Sequence, residues 1–310
     1  MDVFITGATG VLGRPVVRML AAEGHHVRAL SRSESNDALL SRLGATPVRG
    51  DLFDAASVAA AVAGSEAVLH LATRIPPRSR ATAADAWAEN NRIRVEGTRN
   101  LVDAALAAGV STLLYPSVVF TYADGGDDWI DAASGAVEAG PMLASTLQAE
   151  EQLKRFSDAG KRGIVLRMGY FYGPEAESSL DALALARRGA AILAGPGDAF
   201  YPSVWVEDAA SAVVAALRSA PAGVYDVVDD DPLPRRELAR AVADAAGRPF
   251  VVRPPMWLLK LVGGRETAFM GRSQRVSNHR FKSATGWAPT VHDARDGWQR
   301  IAAALRQPQH

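Results

Sequence analysis

The chain contains no cysteine, which excludes disulfides, thiolate nucleophiles and cysteine metal sites and fits a reducing compartment. It carries no excess of either charge, because 34 Lys and Arg balance 34 Asp and Glu, so the electrostatic footprint of a nucleic-acid binder is missing. No apolar run reaches the length needed to span a bilayer, and the first residues resemble no cationic leader with a cleavage site. These absences predict a cytoplasmic protein with a small-molecule substrate, no nucleic-acid partner and no membrane partner. The six histidines lack metal-ligand spacing, so no metal is expected. His70 sits inside an apolar run and reads as a core residue. What the chain has in quantity is apolar side chain, 48% against 22% charged, enough for a sizeable core. Its 310 residues suit an α/β body with a second lobe.

The most informative segment comes first. Val3-Phe4-Ile5 reads as a strand and runs into Thr6-Gly7-Ala8-Thr9-Gly10-Val11-Leu12-Gly13, which opens an amphipathic helix. Gly7 permits the strand-to-helix reversal, Gly10 lets backbone approach a pyrophosphate, and Gly13 lets the helix pack closely on the strand. Phosphates would meet N–H groups at the positive end of the helix, with Thr9, Val11 and Leu12 beside them. A second strand, His26 to Ser31, completes a β-α-β unit. Where an acid would bind a ribose 2′-hydroxyl, the chain has Ser31-Arg32-Ser33. A planar guanidinium with flanking hydroxyls suits a 2′-phosphate, so Arg32 and Ser33 predict NADP(H) in preference to NAD(H). The competing reading of Arg32 is a solvated loop residue.

Apolar runs then alternate with helical patterns. Strands are expected at Ala67 to Leu71, Thr112 to Tyr115 and Gly163 to Arg167, and helices at about Ala86 to Ala108, Met142 to Ala159 and Asp208 to Arg218. Near-continuous apolar strands imply a parallel sheet buried on both faces. The fold class expected is therefore α/β, a Rossmann-type doubly wound parallel sheet with a smaller C-terminal substrate lobe. Past Gly173-Pro174 prolines multiply and the pattern turns irregular. That places the dinucleotide-binding domain mainly at 1–173 and the substrate lobe mainly at 174–310, with Val204 to Arg218 and Val224 to Val228 returning to the first domain. Asp229-Asp230-Asp231 reads as a turn before a helix start, in preference to a cation site.

These motifs resemble the short-chain dehydrogenase/reductase superfamily, in its extended and atypical branch of epimerases, dehydratases and related reductases. The resemblance implies that Asp51 in Gly50-Asp51-Leu52 contacts adenine and that Leu71-Ala72-Thr73 passes the cofactor's ribose. It also covers Gly97-Thr98-Arg99-Asn100-Leu101, Arg167 with Tyr172-Gly173-Pro174, Val206-Glu207-Asp208-Ala209-Ala210 and Gly286-Trp287-Ala288-Pro289. Asp208 reads as a helix N-cap. Long helices starting near Ala86 and Met142 are those through which extended relatives pair, so a monomer or a homodimer is expected.

The same resemblance implies an active-site Tyr, a Lys one helical turn later, a Ser and an Asn. Counting back from Ala149-Glu150 puts Met142 at the Tyr and Thr146 at the Lys, and counting back from Gly97-Thr98 puts Arg94 at the Asn, with Asn91 one turn earlier. Ser117 stands where the catalytic hydroxyl is expected. No Tyr-x-x-x-Lys occurs in the chain. A Met transfers no proton, and a Thr supplies no positive field to a phenol.

Three readings follow. The first is an oxidoreductase, reducing a carbonyl or related group of a small metabolite in biosynthesis, whose proton donor has moved to Tyr170, with Tyr122 and Tyr201 as alternatives. The second is an isomerase, lyase or cyclase using the pocket as a template. The third is a dinucleotide-responsive binding protein without catalysis. Arg74 and Arg78, after the fourth strand, are candidates for an acidic substrate, and Tyr201 and Trp205 for aromatic walls of a substrate pocket that includes Met142 and Thr146.

Overall fold

The computed structural model describes residues 1–76, 80, 83, 85–191, 193, 195–253, 255, 257, 261 and 270–306. Arg78 lies outside the described residues. Seven strands form one parallel sheet: β1 (Asp2–Thr6), β2 (His26–Ser31), β3 (Thr46–Arg49), β4 (Ala67–His70), β5 (Thr112–Val118), β6 (Arg162–Met168) and β7 (Gly223–Val227). Their spatial order is β7-β6-β5-β4-β1-β2-β3. The chain starts in the middle, winds outward to β3, then crosses back to β4 and beyond, so β1 and β4 flank the point where strand order reverses. In open α/β sheets ligands bind there, at the carboxyl ends of the strands.

Helices cover both faces. They are α1 (Gly13–Ala22), α2 (Glu34–Arg42), α3 (Ala55–Val62), α4, α5 (Ala144–Asp158), α6 (Glu177–Arg187), α7 (Val206–Ser219), α8 (Arg235–Ala245), α9 (His279–Thr285) and α10 (Ala294–Ala304). The α4 helix comprises Ala88–Arg92 and Thr98–Ala107 joined by a π-helical turn, Ile93–Gly97. On one face Val16, Val17 and Leu20 of α1 pack with Val213 and Leu217 of α7 and Phe281 of α9. On the other, Val58 and Val62 of α3, Leu101 and Val102 of α4, and Leu153 and Phe156 of α5 form a second core. Burial of β4 on both faces explains its unbroken apolar run. A third core joins Leu183 of α6, Leu238 and Val242 of α8, and Trp298 and Ile301 of α10. It lies apart from the two cores on the sheet faces, while α7 and β7 pack with the sheet.

Two expectations need correction. Asp208 is not an N-cap, since Trp205 occupies that position. Asp208 sits inside the first turn of α7, fully buried, and accepts hydrogen bonds from Thr290 N, Thr290 Oγ1 and Val291 N at 2.8–2.9 Å. It ties the chain before α10 onto the sheet domain. The helix expected over 86–108 is interrupted: the i→i+4 pattern widens at 93–97, where Gly97 packs against Leu52, a Cβ added there falling 2.7 Å from Leu52 Cδ2 so that the leucine side chain would have to shift.

Candidate functional site

The β1–α1 turn is built around backbone contact. Gly7 has φ 77°, and a Cβ there would fall 2.4 Å from Ala72 N and Leu71 C. A Cβ on Gly13 would fall 2.2 Å from Gly7 O. Gly10 differs, because a Cβ there would meet only Gly7 O, at 3.3 Å. The space in front of Gly10 is therefore open to a ligand, as close approach of a pyrophosphate requires. No side chain caps α1 among the described residues, so its positive end is available to an anion. These residues fit a dinucleotide.

Around the turn, the other expected cofactor residues converge from the ends of β2, β3 and β4. Arg32 is 64% exposed and lies 3.8 Å from Glu89, which also meets Arg74 at 3.5 Å. Ser33 Oγ caps α2 by accepting from Asn36 N. Asp51 accepts from Phe53 N, and Asn100 holds Leu52 O at 3.0 Å. Leu71 N donates to Thr6 O, which holds the Leu71-Ala72-Thr73 segment beside Gly7. Arg74 N donates to Asn90 Oδ1 at 3.0 Å. Asn90 is buried, and nothing in the sequence distinguished it from Asn91, which instead accepts from Ser145 Oγ.

A buried polar row crosses the C-terminal ends of three strands. Strand register places Ser117 of β5 beside Arg167 of β6, and Arg167 beside Asp226 of β7. Glu150 descends from α5 onto the row. It accepts from Arg167 Nε at 3.0 Å and Nη2 at 2.7 Å, and Ser117 Oγ donates to the same carboxylate. Arg167 and Glu150 are 8% and 11% exposed. Ser117 is buried with its hydroxyl held in this pair. At the far end Tyr122 OH and Ala132 N both donate to Asp226 at 2.7 Å. Burial pushes the Asp226 carboxyl up to about 7, and burial, then the Asp226 charge, raises the Tyr122 phenol. Tyr122 is accordingly a buried member of the row. Glu150 was a landmark in the sequence; only register and the reach of α5 reveal its partners.

Met142 lies half-buried in a 3₁₀ turn, Pro141–Leu143, that leads into α5. Thr146, one turn on, is fully buried and accepts from Arg94 Nη1 at 2.6 Å. Arg94 projects from the π turn of α4. Burial pushes the neighbouring Tyr115 phenol up to about 12. His70 Nδ1 lies 2.7 Å from Thr6 Oγ1, and burial lowers the His70 imidazole to about 4, so it is neutral at pH 7.

Tyr170 and Tyr201 come together with rings 5.7 Å apart, and Phe120 lies 5.7 Å from the other side of Tyr201. The buried Arg235 guanidinium lies 5.3 Å from the Tyr201 ring centroid. Trp205 does not join this row. It is edge-on to Tyr172 at 5.5 Å inside the third core. Two of the three adjacent aspartates are tied into the protein: Asp229 accepts from Tyr172 OH and Ser203 Oγ, and Asp230 from Asn278 and Lys282. No group of metal-ligating side chains occurs among the described residues.

The model of the NAD dependent epimerase/dehydratase family matches residues 3–228. The chain is 35% identical over 308 residues to a 3-diazoavenalumate denitrifying reductase of a Streptomyces species, covering 97% of this chain and 100% of that protein. It is 30% identical over 263 residues to a 2-alkyl-3-oxoalkanoate reductase of Stenotrophomonas maltophilia (strain K279a), covering 81% of this chain and 77% of the relative. Among solved structures, the human epimerase family protein SDR39U1 (isoform 2) with NADPH superposes with a TM-score of 0.79 at 23% identity, covering 98% of this chain and 99% of the other.

Proposed function

The chain belongs to the NAD dependent epimerase/dehydratase family, and from that premise we propose that it is an NADPH-dependent reductase whose hydride acceptor needs no proton from a Tyr-Lys pair. What supports the reading is an intact dinucleotide turn together with Met142 and Thr146 at the positions that the resemblance gives to the Tyr and the Lys, and with Ser117 and Tyr122 bonded to carboxylates. When bound, the nicotinamide supplies a hydride. The protein would supply position: Gly7, Gly10 and Gly13 would admit the pyrophosphate, Asn90 would hold the Leu71-Ala72-Thr73 segment that the resemblance gives to the ribose, and Arg32 would pair with a 2′-phosphate.

An acceptor that already carries positive charge fits this residue set. An arenediazonium takes up hydride to give a neutral aryldiazene, which releases dinitrogen and keeps hydrogen on the ring, so no proton is required. The name of the denitrifying reductase, the relative spanning nearly the whole chain, supports this class. A second reading, reduction of a 3-oxo acid with Tyr170 as proton donor, is favoured by the Tyr170–Tyr201 pair at the expected substrate wall and by the name of the second relative.

The test is NADPH consumption with an arenediazonium carboxylate and, separately, a 2-alkyl-3-oxo acid, each corrected for the reaction without protein. One mole of dinitrogen-free arene per mole of NADPH oxidised supports the first reading. Turnover of the 3-oxo acid that is abolished in Tyr170→Phe supports the second. Failure of the purified protein to bind NADPH sinks both. Within the reading, Arg32→Ser removes a charge-assisted contact of about 1.5–3 kcal/mol, weakening NADPH at least tenfold while leaving NADH nearly unchanged. Equal losses for the two cofactors would place Arg32 outside the 2′-phosphate site.

A further inference from the structure

We propose that Arg94 is an oxyanion-binding residue, which receives a phenolate, enolate or carboxylate oxygen of the substrate at the carboxyl end of the sheet. Two guanidiniums, Arg94 and Arg167, are buried in the same polar layer, and they are treated differently. Arg167 meets Glu150 through two hydrogen bonds, and the remaining hydrogen bond to Glu150 comes from Ser117. Arg94 is 6% exposed and makes no ion pair with a carboxylate among the described residues. Its guanidinium donates to a neutral hydroxyl, Thr146 Oγ1, and meets the neutral Tyr115 phenol, while its buried Nε has no acceptor. Asp226, the other acid of the row, is occupied two strands away by Tyr122 and Ala132. Of these two cations only Arg167 is paired with a carboxylate among the described residues.

A buried charge without a partner costs several kcal/mol, so a guanidinium is kept in such a place only where something compensates it. A fixed cation in a water-poor site stabilises an anionic oxygen far better than one in water, and a guanidinium presents its donors in a fork that suits oxyanions. The position supports a ligand role. Arg94 comes from a π turn, a distortion frequent at functional sites, and reaches across to the first turn of α5. Tyr115 of β5 lies against it, near the end of the sheet where this architecture binds ligands. The inference deepens the reductase reading by naming a feature of its substrate, an anionic oxygen. It rests on that reading only for calling the ligand a substrate.

The test reads binding, not turnover, on the NADPH-loaded protein. One arm compares 4-nitrophenolate with 4-nitroanisole, and the other compares 3-phenylpropanoate with its methyl ester. The wild type is expected to prefer the anion by about tenfold or more in at least one arm, and bound nitrophenol should ionise at lower pH than free. A preference in the first arm alone identifies a phenolate or enolate, and in the second alone a carboxylate. Arg94→Gln should abolish the preference while melting cooperatively and binding NADPH, and Arg94→Lys should restore part of it. The proposal is overturned if the wild type prefers neither anion, a result that stands even if Arg94→Gln does not fold. It is equally overturned if the preference survives in folded Arg94→Gln. Anion binding without any hydride transfer would defeat the reductase reading and leave Arg94 as an oxyanion site.

Discussion

Glu150 accepts three hydrogen bonds inside the protein, and each partner would be left in a different state by its loss. Replacing it with Leu strands the Arg167 cation in a nearly dry layer. Breaking a buried pair in this way costs about 3–5 kcal/mol, whereas removing both charges together costs much less. Chemical denaturation of Glu150→Leu should therefore show a loss of that order, and Glu150→Leu/Arg167→Leu a loss well below the sum of the single changes. Additive losses would mean that the two side chains do not act as a pair. Ser117→Ala removes one hydroxyl donor from the same carboxylate and should cost less, about 1.5–3 kcal/mol. Of this cluster the sequence displayed Ser117 and Arg167 as motif residues. It did not display Glu150 as their partner or Asp226 as the neighbour of Arg167, because the first contact comes from a residue 33 positions beyond Ser117 and the second from strand register.

Elements were more legible than partnerships. The strand-turn-helix from Asp2 to Ala22 follows from local rules, an apolar run and glycines where Cβ atoms would strike backbone, and β2 runs over His26–Ser31 as its apolar alternation predicts. The π turn was hidden, since its residues keep the apolar spacing of a helix and differ only in hydrogen-bond reach. Short pairings such as Trp129–Ile130 with Arg275–Val276 join segments too far apart for any local pattern to announce. The glycine turn allows an element-scale prediction. Gly13→Ala places a methyl 2.2 Å from Gly7 O and 2.7 Å from Ala8 Cα, so the turn must open, at a cost of about 1–3 kcal/mol. NADPH binding should fall with it. Gly24→Ala is the control: its φ of 79° strains a side chain, but nothing lies within 4 Å, so melting should drop by about 1 kcal/mol with NADPH affinity unchanged. Full NADPH affinity in Gly13→Ala would remove the turn from the cofactor site.

At the scale of the whole molecule, two buried titrating groups pull stability in opposite directions as pH changes. His70 titrates at about 4 in the folded chain against 6.5 when free, a shift caused first by burial. The unfolded chain then binds more protons between those values, so the His70 contribution is complete above pH 6.5 and is lost as pH falls towards 4. Asp226 titrates at about 7 against 3.8, again chiefly from burial. Here the folded chain binds more protons, so its contribution is complete below pH 3.8 and is lost as pH rises through 7. Between pH 4.5 and 6.5 the two slopes, each up to about 1.4 kcal/mol per pH unit, largely cancel in the wild type. Substitution should separate them. In urea titrations across that window, His70→Gln should lose stability relative to wild type as pH rises, because Asp226 acts alone. Asp226→Asn, which keeps an acceptor for Tyr122, should gain relative stability as pH rises, because His70 acts alone. Groups elsewhere titrate alike in all three proteins, so the differences isolate these two sites. Profiles that run parallel across the three proteins would mean that neither side chain is held in the protonation state its burial dictates, and that the polar layer is wetter than its packing implies.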